Sequence, residues 1–170
     1  MIKAIYPENW KGEYELIDSG NGMKLEKYAS HILARPEPQA IWSPRRSKAE
    51  WEGMQTGSFA QEGSHKGQWN LRGQNKPWFI KYGVHDSSIK MKLNFTQFKH
   101  IGIFPEQAAN WDYIYEKSKA FRGVASVLNL FAYTGGASLA AKAAGVDVVH
   151  VDSIKQVVSW ANENQDHSKL

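Results

Sequence analysis

The sequence contains no cysteine, which excludes disulfides and thiolate metal sites within it. That fits a reducing, cytoplasmic setting. Long apolar runs are also missing, and none approaches the ~20 residues of a membrane helix. The N-terminus, MIKAIYPENWKGEYELIDSG, lacks the apolar core of a signal peptide. Internal repeats and low-complexity tracts are absent. His31, His65, His85, His100, His150 and His167 show no metal-ligand spacing. They read as structural, so no metal site is expected; His150, just before Val151-Asp152, reads as a core or edge residue. What remains is globular: 42% hydrophobic and 22% charged over 170 residues, compatible with one domain or two small ones.

The net charge of +4 is unevenly placed. Residues 1–100 hold 15 Lys and Arg against 10 Asp and Glu, whereas residues 101–170 hold 6 against 7. A basic face of that kind meets nucleic-acid phosphates or is simply a solvated surface. Trp10, Trp42, Trp51, Trp69 and Trp78 lie in the same part, interleaved with Arg45, Arg46, Lys48, Lys66, Arg72 and Lys76. Two readings stand for them: large rings filling a small β core, or platforms for unpaired bases.

Two textures divide the chain, and the fold class they imply is α/β. Residues 1–100 form a β-rich region, with RNA contact as one reading of its role. YELIDSGNGMKLEKYA alternates on both sides of Asn21-Gly22, a tight-hairpin signal. QWNLRGQNKPWFIKYG suggests a second hairpin closed by RGQNKP. In SSIKMKLNFT, Ile89, Met91, Leu93 and Phe95 share one face and Lys90, Lys92 and Asn94 the other. Residues 41–68 read as a long loop with a short helical piece at most.

Residues 101–170 change period. A helix is expected over roughly 105–119, opened by Pro105 and Glu106. ASVLNLFAY then reads as a buried strand, GASLAAKAAG as a helix closed by Gly145, VDVVHVD as a second strand and SIKQVVSWANENQ as a third helix. Strand, helix, strand, helix with short links implies a parallel pair.

The turn Tyr133-Thr134-Gly135-Gly136 ends the first strand, and Asp152 ends the second, 16 residues after Gly136. Helix N-termini expose unpaired N–H groups, and glycine admits a ligand close to the backbone. An acid at the end of the next strand suits ribose hydroxyls, at close to the ~20-residue spacing of such units. The arrangement reads as an adenosine-type nucleotide site; an ordinary strand-to-helix turn, with Asp152 capping at Ser153, stands beside it. A third glycine is missing, which disfavours a pyrophosphate and so NAD.

Phe131-Ala132-Tyr133-Thr134-Gly135-Gly136, Val151-Asp152-Ser153 and Phe104-Pro105-Glu106-Gln107 together resemble class I S-adenosyl-L-methionine-dependent methyltransferases. The likeness covers about residues 100–165 and is nearest the large-subunit rRNA methyltransferase branch. YELIDSGNGMKLEKYASHILARPEPQAIW is similar to the front of a bacterial subgroup. The resemblance implies a cofactor, S-adenosyl-L-methionine, passed by Gly135 and Gly136 and lined by Tyr133 and Thr134. It implies Asp152 on the ribose, Ser153 beside the adenine, and Phe104 and Gln107 closing over the ligand. Core packing for Phe104 and a solvated first turn for Gln107 are the plainer alternatives.

The family's Asn/Asp-Pro-Pro-x-Tyr/Phe substrate motif is not present, and about seven strands would complete its Rossmann-like sheet. The chain is therefore expected to be the front of a longer protein carrying the first βαβα units of an incomplete sheet, with its catalytic residues beyond residue 170. Ser168-Lys169-Leu170 matches a peroxisomal address; a cut at that point is the preferred account. The expected function is methyl transfer to RNA, with rRNA as partner, no membrane association, and self-association through the unfinished sheet. An RNA-binding module without catalysis and an NAD-dependent oxidoreductase are the alternatives.

Overall fold

The computed structural model describes residues 5–63 and 66–170; His65 lies outside them. The chain divides into two compact units, one of residues 12–78 and 93–101, the other of residues 5–11, 79–92 and 102–170.

The first unit is a five-stranded sheet in the order β1 (Tyr14–Gly20), β2 (Met23–Tyr28), β3 (His31–Pro36), β4 (Gly57–Glu62) and β5 (Lys66–Leu71), with helix α1 (Lys48–Met54) between β3 and β4. Asn21 and Gly22 both take positive φ, 50° and 74°, as a two-residue hairpin turn requires. β3 pairs with β4 in parallel, through Leu33–Gly57 and Ala34–Ser58.

Two expectations fail here. The segment read as a loop over residues 41–68 contains a full strand, β4. Gly57-Ser58-Phe59-Ala60-Gln61-Glu62 buries only its first glycine and Phe59, and it has no β-branched residue to signal a strand. It is a strand because it pairs on both sides. The supposed hairpin of β5 with the next strand is also absent: β5 pairs with β4, and residues 72–77 link two different sheets.

At the centre of this unit Glu26 and Arg35 form a buried ion pair, 2.6 Å from Nη2 to Oε2. Tyr14 and Tyr28 hydroxyls donate to the other Glu26 oxygen at 3.0 and 2.9 Å, and Arg35 Nη1 donates to the Lys99 carbonyl. Burial pushes the Glu26 carboxyl up, but the Arg35 and Lys24 charges and the hydrogen bonds from Arg35 and Tyr28 together outweigh it, and the net direction is down. Glu26→Gln strands the Arg35 charge, and urea titration is expected to show a loss of about 3–5 kcal/mol. Because the folded pKa is depressed, the contribution is present above the ordinary value of 4.5 and is lost as pH falls through the lower folded value. Wild-type protein should therefore lose stability in that acid range, and the variant should lose less.

The second unit contains most of the hairpin β6 (Trp78–Val84) and β7 (Ser87–Leu93). Its turn holds His85 at φ 51°, a signal not apparent in the sequence. Ile89 and Met91 are buried, as their alternation predicts. A 3₁₀ turn (Pro105–Gln107) leads into α2 (Ala108–Ala120), then β8 (Ser126–Leu130), α3 (Gly136–Ala143), β9 (Asp147–Val151) and α4 (Lys155–Ser168). β8 and β9 are parallel, as the strand–helix–strand pattern implies.

The edge of β7 is satisfied by side chains of α4. Ser168 Oγ accepts from Lys90 N and donates to its carbonyl, Asn164 Oδ1 accepts from Lys92 N, and Trp160 Nε1 donates to the Lys92 carbonyl, at 2.8–3.1 Å. Residues 160, 164 and 168 recur at helical spacing, so one helix face covers one strand edge.

The expected burial of β8 does not hold on both faces, and β9 beside it is likewise open on one side. Leu128, Leu130, Val149 and Val151 are 43–62% exposed. The register sets Leu128 beside Val149 and Leu130 beside Val151, so they form one bare face. The covered face instead carries a polar chain, in which Ser138 Oγ bridges the Asn129 amide and His150 Nδ1, both at 2.9 Å. An apolar run reads alike whichever of its faces is covered.

Candidate functional site

The strand-to-helix turn after β8 is tightly braced. Phe131, Tyr133 and Gly135 alternate in the left-handed region, at φ 55°, 51° and 95°. Left-handed backbone is costly for side chains with a Cβ and persists only where the surroundings enforce it. Three contacts do so. The Tyr133 N–H donates to Asp152 Oδ2 at 2.9 Å. Thr134 Oγ1 donates to the Gly102 carbonyl at 2.6 Å. Fully buried Asn164 donates from Nδ2 to the Thr134 carbonyl at 2.9 Å, joining the turn to the β7 edge.

The two glycines have different reasons. Gly135 adopts the positive φ, and a Cβ there would lie 3.2 Å from Ala161 Cβ. Gly136 opens α3, and a Cβ there would meet Trp111 Cζ2 at 2.4 Å. Trp111 is itself wedged edge-on against Trp10 and Tyr82. Gly136 thus lets the helix start against the indole.

Beside this turn lies a cavity of about 550 Å³. It brings together Phe104, Gln107, Tyr133, Thr134 and Gly136 of the expected set, along with Trp111 and Asn129. Phe104 is half-buried, with its ring centroid 5.2 Å from that of Tyr133. Gln107 is exposed and accepts from the Asn110 amide at 2.8 Å. Gly135 instead lines a neighbouring cavity of about 310 Å³ with Ser138 and His150. Asp152 lines neither and meets the turn through the Tyr133 N–H, while Ser153 is exposed.

Asp152 Oδ1 also accepts from the Ile154 N–H at 3.0 Å. The Ile154 and Tyr133 N–H groups hold its carboxyl below the usual carboxylate range. Each oxygen keeps a further lone pair, so the carboxylate braces the turn and retains acceptor capacity. Burial holds the His150 imidazole below its usual pKa, and with its bond to Ser138 it is a structural group. His31 stacks on Trp78 and His85 on Tyr115; His167 meets Phe79 edge-on.

Asn129 was missed by sequence reasoning. Its signal was a lone amide within the apolar run Val127-Leu128-Asn129-Leu130-Phe131. Trp111 carried no such signal, since its spacing marked only a helix face.

No family model matches the chain. Over 76 residues it is 40% identical to the ribosomal RNA large subunit methyltransferase K/L of Shewanella oneidensis. The whole chain superposes on the SAM-dependent methyltransferase from Agrobacterium tumefaciens with a TM-score of 0.88 and 36% identity. The chain is similar to these two methyltransferases. A putative methyltransferase from Streptococcus mutans shares the fold, with a TM-score of 0.66 and 17% identity over 96% of the chain. The match to the Shewanella methyltransferase takes in 44% of this chain and 10% of that protein, and the chain spans 53% of the Agrobacterium methyltransferase. Within this methyltransferase fold, the braced turn and its cavity lie at the carboxyl end of β8, where open α/β sheets bind ligands. Among the described residues no helix is long and apolar enough to cross a membrane.

Proposed function

We propose that the cavity beside the glycine turn holds S-adenosyl-L-methionine and that the chain serves an enzyme that methylates RNA, with rRNA as substrate, in the cytoplasm. The observation that carries this reading is the cavity of about 550 Å³ in which Phe104, Gln107, Tyr133, Thr134 and Gly136 converge on one braced turn. In this reading Phe104 and Tyr133 form an aromatic wall, and Gln107 supplies an adaptable amide at the mouth. Asp152 is not in the cavity wall but holds the N–H of Tyr133, which is; in this reading its remaining lone pairs accept ribose hydroxyls at that edge of the turn, and Ser153 lies toward the adenine. Gly135 and Gly136 keep the backbone clear of side chains. The cofactor supplies an electrophilic methyl group when bound. The chain's own contribution is to orient it, since methyl transfer gains most from alignment of the reacting atoms. The ribosomal RNA substrate named for the Shewanella relative and the basic excess of residues 1–100 support RNA as the acceptor.

Calorimetric titration with S-adenosylhomocysteine tests the cofactor, with NAD in parallel. Saturable binding of the former alone is expected. Asp152→Ala should weaken it by about 10- to 100-fold, the worth of hydrogen bonds to a charged group. Binding of NAD with equal affinity, or an unchanged affinity in the Asp152 variant, would overturn the assignment.

A further inference from the structure

Among the five tryptophans of residues 1–100, four are engaged inward. Trp10 and Trp78 are buried, Trp51 donates to Asp18 at 2.9 Å, and Trp69 donates to the Phe98 carbonyl at 3.2 Å. Trp42 differs, with 55% of its surface exposed and Ile41 beside it at 86%. Arg45 and Arg46 are exposed on the same short segment. Core packing therefore explains the other tryptophans and leaves this one unexplained.

The segment is not a loose loop. Residues 40–46 fold back over the β1–β2 turn, where Asn21 N donates to the Trp42 carbonyl at 2.7 Å and Gly22 N to that of Ala40 at 2.8 Å. The approach is so close that a Cβ on Gly20 would lie 2.3 Å from Pro44 N. Trp42 Nε1 donates to the Ser19 carbonyl at 3.0 Å, which fixes the indole while 55% of the residue's surface stays exposed. The Asp18 carboxylate, 7% exposed, accepts from the backbone N–H groups of Arg45 and Arg46 at 3.2 and 2.9 Å. A buried acid thus neutralises backbone donors rather than the guanidinium groups. Among the described residues Arg45 has no ion-pair partner, and Arg46 reaches Glu50 only at 3.9 Å. A cleft of about 330 Å³ is lined by Trp42 and Arg45 together with Leu16 and Ile17.

A pre-ordered aromatic face beside two exposed guanidinium groups, Arg45 without an ion pair among the described residues and Arg46 with one only at 3.9 Å, matches an unpaired base flanked by phosphates. Pre-ordering matters because the segment loses little further freedom on binding. We propose that residues 40–46 form a platform for single-stranded RNA, with Trp42 stacking one base and Arg45 and Arg46 holding the adjacent phosphates. The proposal rests on the reading of RNA as substrate and names the surface that grips it.

Fluorescence anisotropy of a short labelled oligouridine on the full chain tests it. Trp42→Ala is expected to weaken binding on the order of tenfold, and Trp42→Phe to keep most of the affinity. Arg45→Ala and Arg46→Ala should each make the salt dependence of log K shallower by about 0.7. Because these side chains are exposed, the variants should fold, and circular dichroism checks that. An unchanged affinity in Trp42→Ala overturns the proposal. So does equal binding of polyglutamate, which would point to an acidic protein partner. The cofactor titration above reads the other unit, so its failure would sink the methyltransferase reading and leave the oligouridine result to stand alone.

Discussion

Gly136→Ala is expected to abolish S-adenosylhomocysteine binding and to cost about 1–3 kcal/mol of stability by overpacking. The added methyl group would sit 2.4, 2.6 and 3.0 Å from Trp111 Cζ2, Cε2 and Nε1. The indole cannot retreat, because Trp10 and Tyr82 hold it at centroid distances of 6.0 and 5.6 Å. The strain therefore falls on the start of α3 and on the turn that lines the cavity. Trp111→Phe should leave room for the methyl group. The double variant is then expected to recover about 1 kcal/mol relative to the sum of the single changes. Calorimetry and urea unfolding of the four proteins read both effects. Full affinity in Gly136→Ala would mean that the turn tolerates displacement, against the role assigned to it.

The bare face of the β8–β9 pair should drive the chain to self-associate. Leu128, Leu130, Val149 and Val151 lie side by side there, 43–62% exposed. A contiguous apolar surface of this kind marks an interaction site or an aggregation liability. Among the described residues β8 and β9 pair only with each other, so backbone groups at the outer edges are also available for pairing. Size-exclusion chromatography with light scattering is expected to show a mass that rises with concentration. Leu128→Glu combined with Val149→Lys should return the chain to a monomer. These two positions are directly opposite in the ladder, so the pair of opposite charges preserves β8–β9 pairing while making the face polar. A monomer at every concentration, or association that survives the double change, would refute the prediction.

The kind and order of the elements from residue 105 onward, and the first hairpin, were legible in the sequence. Asn21-Gly22 gave the first hairpin turn, and the alternation in residues 89–95 gave the buried face of β7. The glycine turn, Gly145 and Asp152 punctuated the β8–α3–β9–α4 order and marked the candidate site. These are short-range properties, set by φ preferences and side-chain period. The tertiary structure alone decided which strands pair, which faces are covered and which unit each segment joins. Nothing within residues 57–62 marks β4, which exists because β3 and β5 flank it. β6 and most of β7 join the unit of residues 102–170, held along one edge by α4 side chains about seventy residues away. Gly136 owes its identity to the Trp111 ring, and the left-handed turn to Asp152, Gly102 and Asn164. Trp42 differs from the other four tryptophans of its region only in what lies around it. Contacts of this kind depend on side chains distant in the chain, and their energies enter only once the chain has closed on itself.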